Sequence, residues 1–114
     1  MTGRRSLVPE RGDVVKMSVD PQSGHEQAGW RPALVVSPGA YNRASSLALL
    51  CPITSRVKEY PFEVALPADF AITGVILADQ VRSLDWRARK ASFIAHAPDA
   101  VVREVLARLG PLVT

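Results

Sequence analysis

The stretches WRPALVV at residues 30–36 and SLALLCPIT at residues 46–54 set the architecture of this chain. In each of them the apolar residues are continuous instead of alternating with polar ones, from Pro32 to Val36 and from Leu47 to Cys51. A continuous apolar run of this length is typical of a strand buried on both faces. We therefore expect two central strands, the first ending at the turn that Pro38-Gly39 predicts.

Shorter patterns on either side predict further strands and one helix. Alternation marks a strand around Met17 and another around Val64, and short apolar runs mark strands at 74–77, 80–84 and 92–94. This spacing, punctuated by Pro and Gly, indicates a mainly β fold, a small antiparallel barrel or sandwich. Only the tail has helical spacing. Its apolar residues run from Val101 to Leu109, with Pro98 expected as the first helical residue and Gly110-Pro111 as the stop.

Length and composition limit the classes of protein that the chain can be. With 114 residues, 47% apolar and 22% charged, it suits one globular domain, which we place at 10–114 behind a loose basic arm at 1–9. Its longest apolar run is too short to cross a membrane, and no apolar signal-peptide core follows the first residues, so we expect a cytoplasmic protein. The single cysteine, Cys51, excludes an internal disulfide framework and a cysteine-based zinc site.

The cations are biased toward arginine. The net charge is +3, and eleven of the fourteen cations are Arg. Arginine matches the oxygens of a phosphate with two parallel hydrogen bonds, so the bias fits a phosphate-rich ligand. A genome rich in G and C would produce the same bias, and the composition leaves both explanations open.

The segment DPQSGHEQAGWR, residues 20–31, gathers polar side chains between two buried strands. His25 and Glu26 form an acid–base pair, yet both also suit an ordinary solvated loop. Arg31 precedes Pro32, which favours an extended backbone and makes Arg31 a candidate anion clamp, with a structural ion pair as the alternative. Thr54 ends the second central strand and would lie near Arg31 if the two strands pair.

A second basic segment, DQVRSLDWRARK at residues 79–90, places four cations around Trp86. Cations with an aromatic ring are the combination that single-stranded nucleic acid requires, although such runs are often only solvated surface. A metal site is not expected. The residue four positions after His25 is Gly29, so the zinc-protease motif is incomplete, and the only other histidine is the distant His96.

Taken together, these segments closely resemble the MazF/PemK-type toxins, and the likeness extends from Gly12 to Thr114. The stretches that carry it are GDVV at 12–15, DP at 20–21, GHEQAG at 24–29, RPA at 31–33, SP at 37–38, YN at 41–42, PITS at 52–55, YPFEV at 60–64, ADQVRS at 78–83 and WRAR at 86–89.

The resemblance implies a small SH3-like antiparallel barrel with short helices, forming a homodimer. It also implies a growth-inhibiting toxin that is an endoribonuclease, cutting single-stranded mRNA at short sequences without a metal or other cofactor. The ribose 2′-hydroxyl would attack the neighbouring phosphate and leave 2′,3′-cyclic phosphate and 5′-hydroxyl ends. The implied protein partner is an antitoxin whose C-terminal segment occupies the RNA site; DNA would be reached only through that antitoxin, and no membrane is involved.

The resemblance also assigns site residues. Arg31 and Thr54 match the residues that hold the scissile phosphate, and Glu26 and His25 complete the catalytic set. One subfamily uses a His, an Arg and an Asp, but the position of that Arg is Leu77 here, which favours Arg31 over a mechanism centred on Asp79. The expected RNA-binding residues are Gln27, Trp30, Asn42, Asp79, Gln80, Arg82, Trp86, Arg87 and Arg89, where Trp30 replaces a His of some relatives.

Two other functions use the same fold. A non-enzymatic toxin of this shape poisons a topoisomerase by binding it, and such a protein would not need Arg31 and Thr54 in one site. A catalytically silent RNA-binding barrel would keep the basic segment and cut nothing. Incubation with a long single-stranded RNA separates the three.

Overall fold

The computed structural model of this chain describes residues 8–18 and 30–114. Seven strands and two helices are present in that part of the chain. In order they are β1 (Asp13–Ser18), β2 (Trp30–Val35), α1 (Gly39–Ser45), β3 (Leu47–Thr54), β4 (Glu63–Ala65), β5 (Val75–Leu77), β6 (Arg82–Asp85), β7 (Ser92–His96) and α2 (Asp99–Val113).

The two apolar stretches are the central strands, as predicted. β2 and β3 pair antiparallel with Ala33 opposite Pro52 and Val35 opposite Leu50. Residues 33–36 are all buried, and Leu50 and Cys51 are almost inaccessible to solvent. Burial on both faces explains the continuous apolar run of β2. In β3 it holds around Leu50 and Cys51, whereas Leu49 is 38% exposed.

The other strands extend this pair into one antiparallel sheet of order β4-β5-β3-β2-β1-β7. β3 is long enough to hold two neighbours on one side: its first half pairs with β6, and Ile53 and Thr54 pair with β5. The predicted mainly antiparallel class is confirmed. No ladder joins β4 to β7 among the described residues, so the sheet is barrel-like without a closed ring.

Apolar side chains cover both faces of the sheet. On one face α2 packs through Val102, Val105 and Leu109 against a cluster that includes Leu34, Cys51 and Ile76. The other face carries a second cluster: Val15, Met17, Ala33, Val35, Ala48, Leu50 and Trp86. Two clusters on one sheet leave the central strands rigid, and rigid strands hold the residues at their ends in fixed positions.

The helices differ from expectation in two respects. The residue pattern did not predict α1, a seven-residue helix that begins after Pro38. Pro98 is the N-cap of α2 and not its first residue, and the predicted stop at Gly110-Pro111 is wrong because α2 continues to Val113. Pro111 removes only one amide donor, and the carbonyl left over belongs to the exposed Ala107, where water can satisfy it.

The N-terminal side of the domain is packed from its first described residues. Val8 contacts the cluster around Trp86, and Pro9, which we had assigned to the arm, is buried. The Pro9 carbonyl accepts a hydrogen bond of 2.7 Å from the Asn42 amide. Neither described helix combines the length and the hydropathy that crossing a membrane requires.

Candidate active site

A cleft of about 400 Å³ opens where β2 begins and β3 ends. The loop after β3 forms a second wall, and the turn after β5 closes the far side. The residues that line it are Arg31, Pro32, Pro52, Ile53, Thr54, Arg56, Lys58, Tyr60, Glu63, Leu77 and Gln80. Its size lies in the range of pockets that hold a small ligand.

Strand pairing brings Arg31 and Thr54 to this cleft. Arg31 is opposite Met17 on β1, and Pro32 follows it opposite Lys16, so its backbone is extended within the ladder. On the other side of β2, the ladder with β3 ends at Ala33 opposite Pro52, so Arg31 near the start of β2 and Thr54 at the end of β3 lie toward the same edge of the antiparallel pair. The two strands pair and both residues line the same cleft, while a joint role for Arg31 and Thr54 stays a prediction.

The end of β3 is fixed tightly around Thr54. Its hydroxyl oxygen accepts a hydrogen bond of 3.1 Å from the Arg56 amide. On the other side, Gly74 lies against the Thr54 carbonyl so closely that a Cβ at position 74 would be 2.4 Å from that oxygen. Because a hydroxyl has one donor and two acceptor positions, the Thr54 proton stays available as a donor.

Positive charge surrounds this pair. Arg56 and Lys58 join Arg31 in the lining, and among the described residues that line the cleft Glu63 supplies the one carboxylate. Glu63 accepts hydrogen bonds from the Lys58 amide at 3.0 Å and from the Glu59 amide at 3.0 Å. That carboxylate is engaged in shaping the loop, whose residue Glu59 has a left-handed backbone with φ 56°. The cleft therefore combines three cations with a hydroxyl donor, an arrangement that suits an anion.

Tyr60 and Asp79 are linked at the edge of the cleft. The Tyr60 hydroxyl donates to Asp79 Oδ2 at 2.8 Å, and this hydrogen bond, with the charge of the carboxylate, raises the pKa of Tyr60. Asp79 also faces the core: burial first, and the Asp79 charge second, raise the pKa of the Cys51 thiol to about 12. Gln80 lines the cleft and Asp79 does not, and Asp79 contacts the lining through its hydrogen bond with Tyr60.

Two of the predicted binding residues serve the fold instead, and their prediction is wrong. Asn42 is fully buried and exchanges hydrogen bonds with Ser37 and Pro9. Trp86 is 8% exposed and donates from Nε1 to the Asn42 carbonyl at 3.0 Å. A buried amide that is already bonded cannot reach a base edge, and an indole packed in the core offers no open face on which a base can stack.

The arginines of the basic segment are not among the residues that line the cleft. Arg82 pairs with Leu50, four residues before Thr54, which corresponds to about 13 Å along β3. The Arg87 guanidinium lies 4.9 Å from the centre of the Trp86 ring, and Arg89 donates to the Ser18 carbonyl at 2.9 Å. Of the predicted residues with described side chains, Arg31, Thr54 and Gln80 line the cleft together. Arg82, Arg87 and Arg89 do not line it.

The remaining predicted residues are not tested by the structure. His25, Glu26 and Gln27 belong to 19–29, outside the described residues, and Trp30 is described by its backbone alone. Ser18 and Trp30, which flank that segment, face each other in the ladder beside Arg31. Within 8–18 and 30–114, no three of the His, Cys, Asp and Glu side chains lie close enough together to hold a metal ion.

Sequence reasoning missed Arg56, Lys58, Tyr60 and Glu63 as site residues. The available signal was the loop that follows Thr54, where two cations and a tyrosine occur within six residues. What assembles them is the Glu63 carboxylate folding the loop back on β4, and such a contact has no sequence pattern of its own.

Comparison with known proteins identifies the family. Residues 10–113 match the model of the PemK-like, MazF-like toxins of type II toxin–antitoxin systems. The chain belongs to this family. The resemblance inferred from the sequence motifs is confirmed over nearly the whole domain.

Individual relatives in this toxin family cover most of the chain. Endoribonuclease PemK of Escherichia coli is 38% identical over 97% of this chain and 86% of its own length. Endoribonuclease toxin MazF of Escherichia coli strain K12 is 49% identical over 75% of this chain and 76% of its own length. The MazF of a MazE–MazF crystal structure from Deinococcus radiodurans superposes with a TM-score of 0.88, at 54% identity over 95% of this chain and 97% of the other.

Proposed function

We propose that this chain is the toxin of a toxin–antitoxin pair and a sequence-specific endoribonuclease that cuts single-stranded mRNA at the cleft, in the cytoplasm. The observation that carries the proposal is the convergence of Arg31 and the Thr54 hydroxyl at the ends of two paired, buried strands. The names of PemK and MazF as endoribonucleases support the same activity. Cutting mRNA would stop translation and growth.

The reaction is a transfer within the RNA strand. The 2′-hydroxyl loses its proton to a base, its oxygen forms a bond to the adjacent phosphorus, and the bond from phosphorus to the 5′-oxygen breaks. The 5′-oxygen takes up a proton, leaving a 2′,3′-cyclic phosphate on one fragment and a 5′-hydroxyl on the other. A loop carboxylate such as Glu26 is one candidate for proton removal and an arginine is the alternative, and His25 belongs to the same proposed catalytic set.

Arg31 and Thr54 stabilise the transition state. Negative charge accumulates on the phosphate oxygens as the fifth bond forms, and donors fixed in advance meet that charge without reorganising. The Arg31 fork contacts two oxygens at once, and Thr54 adds a neutral donor from the end of β3. Arg56 and Lys58 attract the flanking phosphates of the strand. Gln80, with its amide in the cleft, and Gln27 contact base edges.

Partners follow from the same assignment. We propose that an antitoxin segment occupies the cleft and blocks RNA, which the MazE–MazF complex of Deinococcus radiodurans supports. A homodimer is the expected state, and Phe93, 55% exposed on β7, supplies apolar surface for one. A sedimentation mass near twice 12.3 kDa is expected, and a monomer at micromolar concentration would contradict it.

The test uses purified protein and a long single-stranded RNA in excess EDTA. We expect cleavage at a short repeated sequence with 5′-hydroxyl ends, and no cleavage where the scissile nucleotide carries a 2′-deoxy sugar. Ends with 5′-phosphate, or a requirement for a divalent ion, would contradict the 2′-hydroxyl reaction. Intact RNA at micromolar protein would contradict the nuclease itself.

A further inference from the structure

We infer that the Tyr60 ring is the surface on which a base of the RNA stacks beside the scissile phosphate, and that Asp79 holds the ring in place. The inference rests on the proposed function and specifies how the same site binds its substrate. Trp86, the aromatic residue that the sequence suggested for this role, is buried. Tyr60 lines the cleft together with Arg31 and Thr54 and is 45% exposed.

The ring is held by three contacts. Its hydroxyl donates to Asp79 Oδ2 at 2.8 Å. The backbone carbonyl of Tyr60 accepts a hydrogen bond of 3.0 Å from the amide of Glu63, the first residue of β4. One side of the ring packs against Phe62, with the ring centres 5.8 Å apart and the planes tilted by 53°. A side chain fixed at its tip and at its backbone loses little freedom when a ligand binds.

The chemistry of the contact favours a base. Every base presents a π-face, and an exposed aromatic ring in a cationic channel is the feature that holds single-stranded RNA. Arg31 and Thr54 engage the phosphate and Tyr60 borders the same cleft, so a nucleotide next to that phosphate reaches the ring. A tyrosine hydroxyl is protonated at neutral pH and can donate to Asp79, and the hydrogen bond with the carboxylate charge raises the pKa of Tyr60 further.

Tyr41 is a matched control. It is another tyrosine of similar exposure, 42%, but it lies on α1 and does not line the cleft. Replacing it removes the same amount of exposed ring at a distance from the site. Tyr60→Phe tests the part played by Asp79, since it keeps the ring and removes only the hydrogen bond to Asp79. It should weaken binding, but by less than Tyr60→Ala, and wild-type affinity in Tyr60→Phe would overturn the role of Asp79.

The experiment starts by confirming that the wild-type protein cuts RNA, because failure at that step would overturn the proposed function and not this inference alone. A short RNA that spans the mapped site, with a 2′-deoxy sugar at the scissile nucleotide, then serves as the binding probe. We expect Tyr60→Ala to raise its Kd about tenfold, the loss of one stacked base, while kcat changes little. Tyr41→Ala should bind like the wild type.

Abasic substitution identifies the stacked base. Bases of the probe are removed one at a time, and in the wild type one removal should weaken binding about tenfold. In Tyr60→Phe the same removal should weaken binding by less, because the ring is present but no longer held by Asp79. In Tyr60→Ala the same removal should have no further effect. Wild-type affinity in Tyr60→Ala, or an unchanged abasic profile, would overturn the inference.

A measurement on the unmodified protein covers the case in which Tyr60→Ala does not fold. 5-Iodouridine is placed at the position found by the abasic scan, the complex is irradiated, and the cross-linked peptide is mapped. A cross-link to Tyr60 is expected. Cross-links that form only at other residues would count against stacking on this ring.

Discussion

Strand β3 has a cationic surface near each of its ends, and similar residues play different parts in the two. Near its C-terminal end, Arg31, Arg56 and Lys58 line a concave cleft beside the Thr54 hydroxyl. Near its N-terminal end lies what we term the β6 surface, formed by Arg82, Arg87 and Arg89 around the buried Trp86. The Trp86 ring is buried in the core, and Arg89 donates a hydrogen bond to the carbonyl of Ser18 at the end of β1. Charge alone therefore does not locate a site; convergence on a concave surface does.

The largest effect that separates the two surfaces is expected from Arg31→Ala. Losing one fixed transition-state donor should lower the cleavage rate by about 10²-fold or more. Arg31→Lys should recover little, because a lysine is a point charge without the planar fork. Single-turnover cleavage at saturating protein measures the rate. If Arg31→Ala melts like the wild type and cuts at the same rate, the role passes to Glu26 or His25.

Trp86→Phe should affect stability and leave the chemistry unchanged. The substitution removes the hydrogen bond from the indole N–H to the Asn42 carbonyl, which keeps its bond from the Ser46 amide, and it also shrinks a buried ring; together these cost about 2 kcal/mol. Urea unfolding measures the loss of stability, and cleavage measured well below the melting temperature should match the wild type. A variant of normal stability that binds RNA weakly would instead place Trp86 in the RNA interface.

Thr54→Ala should have a smaller effect on cleavage than Arg31→Ala. A neutral hydroxyl stabilises developing charge less than a guanidinium does, so we expect about a tenfold loss in kcat. Thr54→Ser is the matched control because it keeps the hydroxyl. Equal rates for the alanine and serine variants would show that the hydroxyl takes no part in the chemistry.

The smallest effect is expected from Arg87→Ala on the β6 surface. Arg87 is exposed and stacks on Trp86, so its loss should weaken RNA binding a few-fold and lower the slope of log Kd against log salt by at most about one. The maximal rate should be unchanged. Arg89→Ala should also reduce stability, because Arg89 bonds to the end of β1. A large fall in kcat for Arg87→Ala would extend the active site to this surface.

The central sheet was predictable because burial on both faces leaves a direct trace in the sequence. The continuous apolar runs marked both central strands, although Leu49 on β3 is exposed, and Arg31 and Thr54 lie near the start of β2 and at the end of β3. The family motifs added the roles of these two residues. For Arg31 and Thr54 to lie at one cleft, β2 and β3 had to be neighbouring strands, and the structure shows that they pair.

The errors have a common physical origin in contacts between distant parts of the chain. Asn42 and Trp86 are polar and amphipathic residues that a sequence places at the surface. Hydrogen bonds to residues 33 and 44 positions away draw them inside instead. The loop cations were missed because a single carboxylate of β4 assembles them, and α1 because seven residues are too few to show a helical period.

The contact of Gly74 with Thr54 has a consequence for how the protein tolerates change. Position 74 has a left-handed backbone at φ 137°, and any side chain there would collide with the carbonyl of a residue assigned to the site. A residue with no functional group is thus as restricted as those that have one. Among bacteria selected for surviving expression of this toxin, substitutions at Gly74 should therefore appear beside those at Arg31, although glycine itself takes no part in the reaction.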